Sequence, residues 1–303
     1  MRDDFCLSDS SSDSAFNIVK VIFIALTKSS KKITIKNKRC CIMKKDIKVG
    51  IFQLDSSFER LDENIEFIKN IVQETMDEVD LFVLGELFNT GYEMDKIKNR
   101  AKNFKDVLKE FKTLTKETST AFVCGSFGEI ENSNLYNTSY FISCGNVLEK
   151  YRKIHLFSLT GEDKHFSSGS SIKTFSFLGW DIGLSICYDL RFPEMYRVMR
   201  EDGIDLILLP ANWPVIRKDH WLTLSKARAI ENQVYMVSIN RTGNDNNIDF
   251  GGNSVVYSPW GEKLLQMDKS QRFDIIKMSK EVINETRSKL DSFLDRRKDL
   301  YKF

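Results

Sequence analysis

The sequence predicts a layered α/β domain with mixed sheets rather than a simple doubly wound one. Short apolar runs rich in Val, Ile, Leu and Phe alternate with helix-period segments from residue 47 onward. Several pairs of such runs are separated by only a few turn residues, which marks antiparallel neighbours among the parallel strands. No linker-like stretch interrupts the pattern, so residues 43–303 are expected to form one domain.

The elements follow in order. IKVGIF (47–52) and LFVLGE (81–86) are continuous apolar runs of strand length. Between them Leu61, Ile65, Ile68 and Val72 recur at helical spacing. VLKEFKTLTKE (107–117) is a second amphipathic helix, and AFVCGS (121–126) the strand after it. LYNTSYFIS and NVLEKYRK meet at a Cys-Gly-Asn turn and predict a hairpin, as do KTFSFL and DIGLSIC around Gly179-Trp180. Pro193 suits the first turn of a helix, PEMYRVMRED. GIDLILLP is a buried strand, KDHWLTLSKARAIENQ a long helix and VYMVSIN a strand. SVVYS and KLLQM flank PWGE as a third hairpin.

Residues 1–42 do not share this pattern. An acidic, serine-rich opening is followed by FNIVKVIFIALT and a basic run, with eight Lys and Arg against four Asp in all. We expect this segment to be a non-native or disordered extension, with the domain beginning at Met43. Its mixed opening charge and lack of a small-residue cleavage pattern do not fit a secretory signal.

Composition excludes several function classes. The 303-residue chain has a net charge of +2, which gives no electrostatic case for nucleic acid. It contains no run of 18 apolar residues, so no membrane partner is expected. Six cysteines without a C-x-x-C pair, and only three histidines, fit neither a disulfide framework nor a zinc site. A reduced, cytoplasmic protein without a cofactor is expected.

Three polar residues stand where apolar runs end: Glu86 after LFVLG, Lys153 after VLEKYR, and Cys187 after LSI. Taken singly, they read as a loop glutamate, a surface lysine and a small buried hydrophobe. Together they are a chemical set. A thiol needs a base to attack as thiolate. A carboxylate can take that proton and return it to a leaving amine, and an ammonium can hold an oxyanion. His155 and His220 leave a Cys–His hydrolase open on the residues alone.

GELFNTGY around Glu86, KYRKIHLF around Lys153 and LSICYDLRFPEMYR around Cys187 resemble the three motifs of the nitrilase superfamily of carbon–nitrogen hydrolases. The resemblance continues through PANWP, HWLTLSKARAIENQVYMVSINRTG and GGNSVV, over residues 46–280. CYDLRF and the ANWP…HW…ARAIENQ block look most like the omega-amidase branch, which hydrolyses the terminal amide of dicarboxylate monoamides of the 2-oxoglutaramate or 2-oxosuccinamate type. The resemblance implies a four-layer α-β-β-α sandwich of two mixed sheets, in which Glu86, Lys153 and Cys187 converge without a metal or organic cofactor. It implies Cys187 on a sharp turn, with the Tyr188 N–H facing the same carbonyl oxygen as Lys153. It also implies a second glutamate that orients the lysine. In GSFGEIENSNLYN the matching position is Glu129, with Glu131 as its rival.

The resemblance to the omega-amidase branch implies that Arg191 grips the substrate's distal carboxylate, the alternative being a surface pair with Asp189 or Glu194. The segments 161–169 and 212–221 are expected as pocket walls, both histidines as structural, and the chain as a homodimer. Another amidase, a nitrilase or a carbamoyl-amide hydrolase stays open within the superfamily. A non-catalytic binding protein on the same fold would more naturally have lost one of Glu86, Lys153 and Cys187.

Overall fold

Side-chain alternation along two sets of parallel strands sets the layers of this chain. The computed structural model describes residues 43–118, 120–245 and 247–300, so the expectation for residues 1–42 lies outside the described residues. β1 (Asp46–Gln53) leads through α1 (Leu61–Thr75) to β2 (Leu81–Val83), then through α2 (Met94–Arg100) and α3 (Phe104–Thr118) to β3 (Ala121–Glu131). β4 (Asn134–Ser143), β5 (Asn146–Arg152) and the short α4 (Glu162–His165) follow. β6 (Lys173–Phe177), β7 (Trp180–Leu184), α5 (Pro193–Glu201), β8 (Leu206–Ala211), α6 (Lys218–Asn232) and β9 (Tyr235–Asn240) continue the alternation. The last elements are β10 (Thr242–Asp245), β11 (Ile248–Gly251), β12 (Val255–Tyr257), β13 (Lys263–Gln266), β14 (Arg272–Ser279) and α7 (Lys280–Lys289).

Two six-stranded sheets result, in the orders β14-β1-β2-β3-β4-β5 and β13-β12-β9-β8-β7-β6, with β10 and β11 paired apart. β1, β2 and β3 are parallel, as are β7, β8 and β9. Antiparallel strands flank both sets. Along β1–β3, Val49, Ile51, Leu81, Val83 and Val123 face the second sheet and share a core with its Ile182, Leu184 and Leu208. The intervening Phe52, Phe82 and Phe122 face Ile68 and Val72 of α1 and Phe111 and Leu114 of α3. On the far side Met195 and Met199 of α5 and Trp221 and Ala229 of α6 close the second sheet. The expected four-layer α-β-β-α sandwich is therefore the fold. Each fully buried Phe or Leu contributes about 1.5–3 kcal/mol of transfer free energy.

Some boundaries differ from the sequence expectation. Trp180 does not turn the β6–β7 hairpin. Leu178 and Gly179 do, at φ +50° and +83°, the positive pair that a tight hairpin requires. Trp180 is fully buried at the start of β7. β2 and β7 stop at Val83 and Leu184, short of Glu86 and Cys187. The sequence reading did not assign β14, α2 or α7, whose apolar residues are too diluted by charge to show a clear period.

Candidate active site

Cys187 opens a short 3-10 turn, Cys187–Arg191, three residues after β7 ends. Its φ is +48°, a conformation that costs a non-glycine residue about 1 kcal/mol and must be held by its surroundings. Asp189 does the holding. It is fully buried, and its Oδ2 accepts from the Ile186 N–H at 2.8 Å and the Tyr151 hydroxyl at 2.7 Å. Its Oδ1 accepts from the His155 N–H at 3.1 Å and lies 2.7 Å from His155 Nδ1. The turn is thus tied to β5 and to the segment after it.

Glu86 follows β2, where the chain leaving that strand passes unusually close to the middle of β3. A Cβ at Gly125 would lie 1.7 Å from the Gly85 carbonyl oxygen, so only glycine fits there. Ser126 then fixes the next bend: its N–H donates to Gly85 O at 3.2 Å and its Oγ accepts from the Leu87 N–H at 2.9 Å. The Glu86 carboxylate, fully buried, accepts at Oε1 from Lys153 Nζ (3.0 Å) and Asn137 Nδ2 (2.8 Å), and at Oε2 from the Asn212 N–H (2.7 Å). Lys153 lies just past β5, anchored by its N–H to Asn137 O at 2.8 Å. The Cys187 Sγ lies 3.9 Å from the Asn212 carbonyl oxygen. One residue, Asn212, therefore meets both the carboxylate and the thiol through its backbone.

The second carboxylate at Lys153 is Glu162, and this corrects the expectation for Glu129. Both oxygens of Glu162 lie 2.8 Å from Lys153 Nζ. The Phe157 N–H at 2.8 Å and Asn137 Nδ2 at 3.2 Å hold it in place. Glu129 instead accepts from Thr138 Oγ1 (2.7 Å), Arg152 Nε (2.9 Å) and Lys150 Nζ (3.0 Å). Its rival Glu131 pairs with the same Arg152 and Lys150. The reason is the two-residue period of a sheet. Glu129 pairs across from Tyr136, and Thr138 from Arg152, so these residues share one face. Lys153 is one residue further and points to the other. Glu162 sits in a short polar helix with no periodic signal, although the segment holding it was expected as a pocket wall.

The charges do not balance, which shapes every proton affinity. Burial raises the Glu86 carboxyl, and the neighbouring Glu162 adds to this against the pull of Lys153. Burial alone would lower the Lys153 ammonium, but Glu162 and Glu86 outweigh it and hold it well above the usual range. Burial pushes the Cys187 thiol well up, and Glu86 adds to this against Lys153. At rest the site therefore holds a charged lysine and a protonated thiol.

The thiol opens on a narrow cleft lined also by Tyr92, Tyr188, Arg191, Asn212 and Arg217. Arg191 packs its guanidinium 4.9 Å from the Trp213 ring centroid and 3.3 Å from His220 Nδ1. No carboxylate pairs with it among the described residues, so neither alternative partner, Asp189 or Glu194, holds it. His155 stacks on Phe192 with ring centroids 3.7 Å apart and turns its Nδ1 to Asp189. The walls expected over 161–169 and 212–221 supply Glu162 behind the lysine and Asn212, Trp213, Pro214 and Arg217 on the cleft.

The family model for carbon-nitrogen hydrolases matches residues 48–287. The chain belongs to the carbon-nitrogen hydrolase family. A 2-oxoglutaramate amidase of Bacillus subtilis is 33% identical over 255 residues, covering 84% of this chain and 98% of the relative. The omega-amidase YafV of Escherichia coli K12 is 33% identical over 71% of this chain and 84% of its own. Among solved structures, Nit3 of Saccharomyces cerevisiae, from branch 10 of the nitrilase superfamily, superposes with a TM-score of 0.76 at 25% identity, covering 86% of this chain and 98% of Nit3. This carbon-nitrogen hydrolase thus carries an enzyme's fold, with Glu86 and Lys153 in direct contact at its centre. No described helix is long and apolar enough to cross a membrane.

Proposed function

We propose that this hydrolase is a cysteine-dependent amidase that cleaves the terminal amide of a dicarboxylate monoamide of the 2-oxoglutaramate type to the acid and ammonia. The observation that carries the reading is the buried Glu86–Lys153–Glu162 cluster joined to Cys187 through Asn212, with Arg191, a cation that no carboxylate among the described residues pairs, on the same cleft. The names of the relatives support the substrate class.

In this mechanism the Cys187 thiol gives its proton to Glu86 as the sulfur attacks the amide carbon. Burial that raises the Glu86 carboxyl makes it a better proton acceptor. Lys153 and the Tyr188 N–H hold the oxyanion. Glu86 then protonates the amide nitrogen, ammonia leaves, and a thioester remains on Cys187. Glu86 next takes a proton from water as the hydroxide adds to the thioester. Collapse releases the carboxylic acid, and the proton returns to the sulfur. Glu162 acts through Lys153, keeping it charged and aimed. Arg191 grips the distal carboxylate by a two-pronged contact. The chemistry needs Cys187 as a thiol, which a reducing cytoplasm provides.

An ammonia-release assay on dicarboxylate monoamides, simple amides, nitriles and carbamoyl amino acids tests the reading. The highest kcat/KM should fall on a dicarboxylate monoamide. A preference for a nitrile or a carbamoyl compound would move the chain to another branch, and no release from any of them would favour a binding protein.

A further inference from the structure

We infer that Asn212 and Arg217 are specificity-determining residues that read the 2-oxo group of a 2-oxo-acid amide. The inference rests on the amidase reading above and extends it from a distal carboxylate to the carbon next to it.

Asn212 uses its backbone fully and its side chain not at all. Its N–H donates to Glu86 and its carbonyl faces Cys187. The residue is only 2% exposed and both polar side-chain atoms are buried, yet neither Oδ1 nor Nδ2 finds a partner among the described residues. Asn64, Asn137 and Asn232 each leave Oδ1 unpartnered but put Nδ2 to use. Loose packing does not account for the difference. The next residue, Trp213, is clamped by Asn240, whose Oδ1 accepts its N–H at 2.7 Å and whose Nδ2 donates to its carbonyl at 3.0 Å. A buried amide without partners is costly, and this one lines the cleft with the thiol. A ligand in that cleft would supply the partner the amide lacks.

Arg217 gives a second, independent observation. It ends the 3-10 turn Val215–Arg217 and is anchored by its carbonyl, which accepts from Trp213 Nε1 at 2.8 Å. Its guanidinium lines the same cleft and lies 5.4 Å from the Phe157 ring centroid. It makes no hydrogen bond or ion pair among the described residues. A plain carboxylate offers two acceptor oxygens, which one guanidinium fork satisfies. This cleft offers two forks, from Arg191 and Arg217, and an amide donor. A 2-oxo-carboxylate adds a third acceptor oxygen on the adjacent carbon, which matches that set. Arg191 takes the carboxylate, and Arg217 and Asn212 Nδ2 donate to the 2-oxo oxygen, the amide being free to turn either end to the ligand.

The test compares kcat/KM for ammonia release from 2-oxoglutaramate, from glutaramate, which lacks only the oxo group, and from butyramide. Asn212→Ala and Arg217→Met should each lose about tenfold or more on 2-oxoglutaramate relative to glutaramate, the scale of one lost polar contact. Inhibition by 2-oxoglutarate should weaken by a similar factor relative to glutarate. Asn212→Ser and Arg217→Lys give the same comparison if the first pair does not fold. A wild-type enzyme that prefers the acids to butyramide, with variants that keep the wild-type ratio of the two acids, would overturn this inference alone. A wild-type enzyme without that preference would overturn the amidase reading and this inference with it. A better substrate carrying two separate carboxylates beyond the amide would also overturn it.

Discussion

Replacing Glu162 by glutamine separates a positioning residue from a merely structural one. Glu162 places both oxygens 2.8 Å from Lys153 Nζ, with both side chains almost wholly buried. Glu162→Gln keeps the shape and one acceptor but removes the charge. A charge-assisted hydrogen bond is worth about 1.5–3 kcal/mol, so kcat/KM should fall roughly 10- to 150-fold. Truncation to alanine would leave the ammonium only Glu86 as a partner and open a buried void beside it, and the loss of stability would confuse the result. The decisive readout is the pH profile. Glu162 raises Glu86 and raises Lys153, so without its charge both must fall.

The limbs of the profile follow from the roles. Glu86 must be unprotonated to act as base, so the acid limb of kcat/KM should move to lower pH. Lys153 must be protonated, so the alkaline limb should also move to lower pH. The sign for stability agrees. A lysine raised in the folded state contributes stability that is present below its unfolded value and lost as pH rises through the folded one. Glu162→Gln should therefore lose most of its stability difference from wild type at high pH. The assay is ammonia release from 2-oxoglutaramate across pH, with thermal melts in the same buffers. A uniform drop with both limbs unmoved would refute the positioning role.

Other expectations test the remaining residues. Cys187→Ala should abolish turnover, and hydroxylamine added to the wild-type reaction should divert the acyl group to a hydroxamate; full activity in the variant would sink the thioester. Glu86→Gln should lose about 10²- to 10⁴-fold in kcat with the fold intact by circular dichroism. Arg191→Lys should raise KM for 2-oxoglutaramate about 10- to 150-fold more than for butyramide, equal losses pointing instead to structure. Glu129 is held down to about 2 against its burial by Arg152, Thr138 and Lys150. Glu129→Gln should thus lower stability at neutral pH, the difference shrinking as pH falls from about 4.5 towards 2, with no shift in either limb of the activity profile.

The fold and the three side chains of the candidate site were legible for different reasons. Apolar runs such as LILLPA and VVY announce buried strands by composition alone. Glu86, Lys153 and Cys187 stand out because a polar residue closing an apolar run breaks the local pattern. Glu162 could not be found that way. Its helix has four residues, and its partner Lys153 is reached only after the chain has left β5 and turned back. Glu129 drew attention because it lies on a strand beside the right motifs, but parity places it on the wrong face. Asn212 shows a further limit. The ANWP block was visible, yet an amide's lack of partners is a property of its surroundings, and a sequence does not record it.

Charge explains why the cleft needs arginines at all. Two buried carboxylates face one ammonium, so the centre is negative whenever both are ionised. Burial, with that excess added, raises the Cys187 thiol and in the proposed mechanism keeps it protonated until an amide carbon is in reach, since a thiolate beside Glu86 and Glu162 would add a like charge in a region of low dielectric. The same excess would repel a substrate that is itself an acid. On the proposed reading Arg191 and Arg217 on the cleft offset the repulsion, and among the described residues the carboxylate of Glu86 pairs with neither of them, so they can hold an anion without neutralising the base. A neutral amide gains nothing from them. Selectivity for acids over simple amides should therefore weaken as salt is raised, because the arginines are only half-buried and are screened, while turnover of butyramide should respond less.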